Sequence, residues 1–409
     1  MMPKIMILGA NTLQVPLIQQ AAKSGYDTIV VSPQKDEPGF KYANYSIFVD
    51  VRDKETILKY AVQHQIVGII TDQTDIPVRT VAYVSEKMGL SGIGYENACL
   101  FTDKYLMREK CKELGIKTLQ YRNVNNISDA IEFFECINSD VILKPIDNQG
   151  SKGVFKISTK LELIDKFNES IQYSNSNSIL IEQFVSGREF VVEGIAYNNN
   201  FKNLICGDTH YFNIPDVFSA TTRIFPSKAD HQLIRRVEKL NSEIIKGFGL
   251  KQGISHSEFI MDGNDNIYLI ETAARGGGVF ISSDLISLST NLNTEEFLIS
   301  ISTGNQKAFP SVKIENIASC YIAFYLPVGH IASLEGVKDI DRMTFTHRHN
   351  LNDLYIGKKI NQNIDKTSRS FIIVSGETHE DLERHVKTIQ QTLKIEVQTN
   401  SGIEGPIWN

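Results

Sequence analysis

Tryptophan is nearly absent from this chain: Trp408 is the only one in 409 residues. The five cysteines (Cys99, Cys111, Cys136, Cys206 and Cys320) lie far apart, with no CxxC pair and no Cys/His group at zinc-ligand spacing. That argues against a structural zinc or a redox dithiol, and reads as free, mostly buried thiols in a reducing compartment. Long apolar runs are missing as well. The longest, near Ile317–Val328, is broken by Ser319 and falls far short of the about 20 residues a membrane helix needs. The stretch Met1 to Ala10 has neither the basic start nor the long apolar centre of a secretory leader. Excess positive charge is lacking too: 42 basic against 48 acidic side chains leave −6, which argues against nucleic acid as a partner. The expectation is a soluble, cytoplasmic chain acting on small molecules, with no nucleic-acid and no membrane partner.

What is present is ordinary globular composition, 42% hydrophobic and 22% charged, which excludes wholesale disorder. At roughly 150 residues per domain the length allows two to three domains. The first hundred residues alternate apolar β-rich runs (Ile5–Leu8, Thr28–Ser32, Val67–Thr71) with helical stretches (Leu13 to Lys23, Thr56–Gln65, Ile76–Met88). Such alternation predicts a parallel, doubly wound sheet. Its first turn, Gly9-Ala10-Asn11-Thr12-Leu13-Gln14, has one glycine where a dinucleotide fingerprint needs three. A nicotinamide cofactor is therefore not expected, and the segment reads as a Rossmann-like wall. Thr102 reads as an N-cap, followed by a helix whose apolar stripe is Met107, Cys111 and Leu114.

Three constellations carry chemistry. In the first, Val141 to Val154, a strand ends in Lys144 and a loop holds Gly150, Ser151, Lys152 and Gly153. Glycines let N–H groups converge on an anion beside a lysine, although the P-loop order is absent and a plain hairpin has the same pattern. In the second, the strand Ile179–Glu182 leads through Phe184, Val185 and Gly187 to Glu189. It reads either as a hinge offering backbone groups to an adenine and a carboxylate to a ribose, or as a connector with solvated acids.

The third runs from Gly253 to Gly278. Asp262-Gly263-Asn264 is a hairpin signal between two β-rich runs. With residues 263 and 264 as the loop, Glu258 faces Leu269 and Glu271 faces His256. His256, Glu258 and Glu271 then share one face, with the two acids as diagonal neighbours. Two carboxylates on one face suit a cation between them, and all-oxygen ligands suit Mg²⁺, with Mn²⁺ as the alternative. Arg275, Gly276, Gly277 and Gly278 follow, adding a fixed cation and backbone that can approach closely. Solvated acids on an exposed strand are the plain alternative.

In this order the set resembles the ATP-grasp superfamily of carboxylate–amine ligases over about residues 1–330, most specifically 102–278. Gly304 and Leu326-Pro327-Val328-Gly329 look most similar to L-amino-acid ligases and carbamoyl-phosphate-synthase-like proteins. The resemblance implies α/β and α+β architecture. A Rossmann-like N-terminal domain (1–100) would precede an ATP-grasp domain (101–308, lid about 116–182) and a small C-terminal α/β subdomain (309–409). It implies ATP binding by Lys104, Lys144, Gly150, Ser151, Gly153, Glu182, Phe184, Val185 and Glu189, and metal binding by Glu258 and Glu271. Lys144 and Arg275 would be catalytic, and His210, Arg223, His256, Arg275, Gly276 and Gly277 are substrate-contact candidates. His210 and Arg223 belong to a polar and aromatic segment, Asp208–Asn213 through Arg223. Ala273 stands where the family has an asparagine ligand, which leaves open whether one or two metals bind.

The implied reaction activates a carboxylate as acyl phosphate with ATP and joins it to an amine, releasing ADP and phosphate. A carboxylase- or formyltransferase-like enzyme and a non-catalytic nucleotide-binding module are the alternatives. Small carboxylates and amines are the implied partners, with a homodimer as an option.

Overall fold

The computed structural model describes residues 2–214, 217–315, 317–361 and 369–409. Ile5, Met6, Ile7 and Leu8 are apolar at every position, the pattern of a strand covered on both faces, and all four are buried. Their strand, Lys4–Leu8, pairs in parallel with Asp27–Val31 and Gly68–Ile70, and Tyr45–Ile47 completes a four-stranded parallel sheet. Gly9 opens the first turn at φ +104°, and a Cβ there would come within 3.0 Å of the Gln14 side chain. The single glycine thus accommodates Gln14, which is buried and donates to the Asp72 carbonyl at 2.8 Å.

A second four-stranded sheet, all antiparallel, is built from Tyr121–Val124, Ile179–Gln183, Val141–Pro145 and Phe155–Ile157, in that spatial order. The helices Ile127–Ile137 and Lys160–Ile171 cover it through Phe133, Leu163 and Phe167. Thr159 and Glu162 form a reciprocal capping box at the start of the second helix.

The largest sheet has eight antiparallel strands. Their spatial order is Ile267–Ala273, Gly253–Met261, Arg188–Tyr197, Asn200–Tyr211, Ala220–Phe225, Ala318–Phe324, Ser370–Gly376 and Thr346–His349. Along Arg188–Tyr197 the faces alternate. Phe190 and Val192 pack with Phe259 and Leu269 against Val237 and Ile244 of the helix His231–Gly247. Glu189 and Glu193 project from the other face, as the period-2 rule requires. The C-terminal strands extend this same sheet, so the last hundred residues share its core as well as forming their own sheet of Lys359–Ile360, Gly329–Glu335, Lys394–Gln398 and Ile403–Glu404. Trp408 folds back on Phe324, ring centroids 4.5 Å apart. No described helix is long and apolar enough to cross a membrane.

Two local expectations are corrected. Asp103, not Thr102, caps the helix Lys104–Glu113: its carboxylate accepts the N–H groups of Tyr105 and Leu106, each at 3.0 Å. The Thr102 hydroxyl is instead taken by Arg79 Nε and by the Ala98 carbonyl, both at 2.6 Å. The hairpin loop is also longer than two residues. Asp262 accepts the N–H groups of Asn264 and Asn266 at 2.9 Å, and the ladder slips between Glu258 and Phe259. Glu258 therefore stands directly opposite Glu271, and His256 opposite Ala273. A bulge of this kind re-aims side chains and breaks simple parity counting.

Phe259 sits at the centre of the packed face with no exposure. Phe259→Ala is expected to cost about 3–5 kcal/mol of stability in urea unfolding of the full chain, and a loss under about 1 kcal/mol would contradict this packing account.

Candidate functional site

Between the second four-stranded sheet and the face of the eight-stranded sheet that bears Glu189 lies a cleft of ≈ 810 Å³. Ligand pockets commonly span about 300–1,000 Å³. Of the residues singled out in the sequence, Lys104, Lys144, Gly150, Ser151, Phe184, Val185, Glu189, Glu258 and Glu271 line it. Glu182, Gly153, His210, Arg223, His256, Arg275, Gly276 and Gly277 lie outside that lining.

Lys144 is aimed by a partner that its own strand does not supply. Its Nζ donates to Glu182 Oε2 at 3.0 Å, and Glu182 is also gripped by Arg108 through Nε and, at 3.2 Å, Nη2. Glu182 has no exposure, and its carboxylate serves as the anionic centre of a buried triad. Burial pushes its pKa up, but Arg108 and Lys144 outweigh this and hold it well below the usual carboxylate range. Arg108 also donates to the Ile270 carbonyl at 2.8 Å, which ties the helix to the strand bearing Glu271. The available signal for Arg108 was its helical spacing from Lys104, four residues away on the same face.

Glu258 and Glu271, directly opposite one another, are like charges at contact spacing, an arrangement that destabilises unless countered. Each has a cation. Arg223 Nη2 donates to Glu258 Oε1 at 2.7 Å, and Lys104 Nζ lies 3.4 Å from Glu271 Oε1. Lys104 also donates to the Asn148 carbonyl at 2.7 Å, joining the start of its helix to the glycine loop. Arg223 is buried and also donates to Thr209 Oγ1 at 2.7 Å. His256 contacts Glu193 through Nδ1 and Glu258 through Nε2, the latter at 3.3 Å. Burial opposes the charged imidazole, yet Glu193 outweighs it and the pKa lies above the ordinary histidine value.

Arg275 makes a bidentate pair with Asp75, both bonds 2.8 Å, across a sequence distance no motif reveals. Gly276 and Gly277 are small for packing reasons. A Cβ at Gly276 would sit 2.1 Å from Ser282 Oγ, and one at Gly277 would sit 2.6 Å from Glu193 Oε1. Their N–H groups go to Asp72 (2.8 Å) and Glu193 (3.2 Å), so neither is left over for a substrate.

The glycine loop needs its glycines for conformation. Gly150 and Gly153 have φ of +74° and +73°, and a Cβ at Gly153 would meet Tyr173 at 2.8 Å. Ser151 Oγ donates to the Phe218 carbonyl at 2.8 Å, and Gln149 reaches Thr74 and Asp75. His210 is the residue that strand parity sends elsewhere. Its neighbour Tyr211 lines the cleft, while His210 is exposed and hydrogen-bonded to Thr222 at 2.9 Å. In the same segment, Pro215 and Asp216 lie outside the described residues.

Among the described residues, no group of three or more His, Cys, Asp or Glu side chains forms a metal cage. Glu258 and Glu271 are a two-carboxylate, all-oxygen pair, and the expected third position is filled by the buried methyl of Ala273.

Glu189 accepts the Tyr211 hydroxyl at 2.7 Å. Burial, aided by the charge of Glu258, raises its pKa to about 7 against bonds that pull the other way. The folded chain thus holds this proton where the unfolded chain has released it. The stabilising contribution is complete below about pH 4.5 and is lost as pH rises to about 7. Glu189→Gln is expected to gain stability relative to the parent across that window, read as a Tm difference that grows from pH 4.5 to 7. A difference independent of pH would contradict the assignment.

The family model described as "ATP-grasp domain" matches residues 137–284. The alanine–anticapsin ligase of Bacillus subtilis is 27% identical over 229 residues, which cover 51% of this chain and 48% of that protein. The chain therefore spans about half the length of that relative. The formate-dependent phosphoribosylglycinamide formyltransferase of Wolinella succinogenes is 22% identical over 275 residues, 66% of this chain and 70% of that protein. Among solved structures, the L-amino acid ligase from Bacillus licheniformis superposes with a TM-score of 0.82 at 18% identity, covering 98% of this chain and all of that one (100%). The N5-carboxyaminoimidazole ribonucleotide synthetase from Thermotoga maritima gives 0.73 at 18% identity, over 96% and 99% of the two chains. The fold is that of ATP-grasp enzymes, and residues 137–284 match the ATP-grasp domain model.

Proposed function

We propose that this protein is an ATP-dependent carboxylate–amine ligase, which activates a substrate carboxylate as acyl phosphate and passes the acyl group to an amine. One observation carries the reading. Two lysines and two carboxylates from four separate elements, Lys104, Lys144, Glu258 and Glu271, converge on one cleft beneath a glycine loop. By their names, one relative ligates alanine to anticapsin and another is a formate-dependent formyltransferase, and both names include an acid, which supports a carboxylate substrate here. In this reading residues 1–100 wall the site, 101–308 hold the nucleotide and 309–409 complete the sheet.

ATP with a divalent cation supplies the phosphoryl group that turns an inert carboxylate into a mixed anhydride. In the first step the carboxylate oxygen bonds to the γ-phosphorus and ADP leaves. In the second the amine nitrogen bonds to the acyl carbon, phosphate leaves and the amine loses a proton. The chain's own contribution is charge held in place. Lys104 and Lys144 put fixed positive charge against phosphate oxygens, Lys144 being held in line by Glu182. Glu258 and Glu271 are the oxygen donors that fit Mg²⁺ or Mn²⁺, with phosphate oxygens or water completing the shell. Phe184 and Val185 offer an apolar wall for a base, and Glu189 a carboxylate for ribose hydroxyls. Arg275 supplies charge for the acyl phosphate and the oxyanion that follows. The loop Gln149–Val154 keeps out the water that would hydrolyse the anhydride.

A screen of carboxylates crossed with amines, read as ADP release, is expected to find acid-dependent turnover that EDTA abolishes. Lys144→Ala and Glu271→Ala should each lower it by about 10²-fold or more while leaving the circular dichroism spectrum unchanged. Full turnover in both variants would overturn the assignment.

A further inference from the structure

The segment Asp72–Asp75 follows the strand Gly68–Ile70 of the N-terminal sheet, on the far side of the molecule's sequence from both the glycine loop and Arg275. Yet side chains and backbone of this short loop bond both to the glycine loop and to the segment from Arg275 to Phe280. Asp72 Oδ1 accepts the Gly276 N–H at 2.8 Å. Gln73 Oε1 accepts the Phe280 N–H at 2.9 Å. The Asp75 carboxylate holds the Arg275 guanidinium with two bonds of 2.8 Å, in a fork-to-fork geometry that fixes direction as well as position. On its other side, the loop meets the glycine loop. The Asp75 N–H donates to Gln149 Oε1 at 2.7 Å, and Gln149 Nε2 donates to Thr74 Oγ1 at 3.0 Å. Asp75 thus touches both Arg275 and the glycine loop, the first by its side chain and the second by its backbone.

Resting on the carboxylate-activating reading above, we propose that Asp75 is a positioning residue and Gln149 a latch: docking of the glycine loop on Thr74 and Asp75 is coupled to the seating of the Arg275 guanidinium. The physical reason is that the loop cannot shift on one side without straining the bonds on the other. Gln73 holds the loop at φ +60°, a left-handed backbone for a non-glycine residue, kept there by bonds from its side chain to Leu13 O (3.0 Å) and Phe280 N. A loop so held transmits displacement instead of absorbing it. The consequence for the reaction is that exclusion of water and placement of the arginine occur together. An acyl phosphate would then be made only when the group that stabilises it is already in position, which limits loss to hydrolysis.

The test is amide hydrogen exchange on the full chain, read over residues 72–76 and 147–154, with and without ADP and Mg²⁺. The Asp75 amide reports the latch directly. Gln149→Ala should speed its exchange about five- to tenfold, and Gln149→Glu, which keeps the acceptor oxygen, should restore much of the protection. Asp75→Asn keeps the backbone donor and loses the charged partner of Arg275. It should speed exchange in 147–154 by a similar factor, since coupling is reciprocal. The urea midpoint should stay close to the parent value in the Gln149 variants. Unchanged exchange at 72–76 in Gln149→Ala, or no rescue by Gln149→Glu, overturns the latch. If Asp75→Asn fails to fold, the Gln149 pair alone decides. Absence of ADP binding by the parent protein would count against the proposed function, while exchange in the nucleotide-free chain would still decide the latch.

Discussion

Glu182 is a fully buried carboxylate, and the triad it forms with Arg108 and Lys144 is the interaction on which the site depends. Desolvating an anion is costly, and here the cost is met by two cations and several hydrogen bonds. The triad is also a joint. Arg108 comes from the helix Lys104–Glu113, Glu182 and Lys144 from neighbouring strands of the second four-stranded sheet paired Ile142 to Glu182 and Lys144 to Leu180, and the Ile270 carbonyl from the hairpin beside Glu271. One buried charge therefore fixes a helix, that sheet and the acidic hairpin in a common frame. Lys144, with its ammonium committed on one side, is presented to the cleft from a defined direction.

The rest of the site repeats this design of opposite charges drawn from distant parts of the chain. Glu258 meets Arg223, Glu271 meets Lys104, and Arg275 meets Asp75. In each pair one member faces the cleft or its margin, and its partner arrives from another element. Close opposition of Glu258 and Glu271 would be unfavourable alone, and the two cations make it tolerable.

Much of this was legible in the residues, and what was not has definable causes. Apolar runs such as Ile5–Leu8 and Val141–Leu143 marked buried strands because burial on both faces leaves no room for polar residues. The Asp262-Gly263-Asn264 signal located the hairpin, but its register depended on a bulge after Glu258, and a bulge leaves no compositional trace. The Glu182 triad left no trace in the residues, because a strand-end carboxylate looks the same whether it meets solvent, a ligand or an arginine 74 residues away. Asp75 was invisible for the same reason, its partner lying 200 residues on. His210 was a different kind of miss. Counting parity along Asn200–Tyr211 places it on the face opposite Tyr211, so the information was there and unused.

The claim that unites triad, acidic pair and glycine loop is that this cleft moves a phosphoryl group onto a carboxylate. Positional isotope exchange tests it without knowledge of the amine. ATP labelled with ¹⁸O in the β–γ bridge is incubated with Mg²⁺, protein and a panel of carboxylates, amine omitted. Reversible acyl-phosphate formation frees the β-phosphate of bound ADP to rotate, so the account predicts label scrambling into the non-bridging β positions that depends on one class of carboxylate. Tight nucleotide binding with no acid-dependent scrambling across the panel would contradict it.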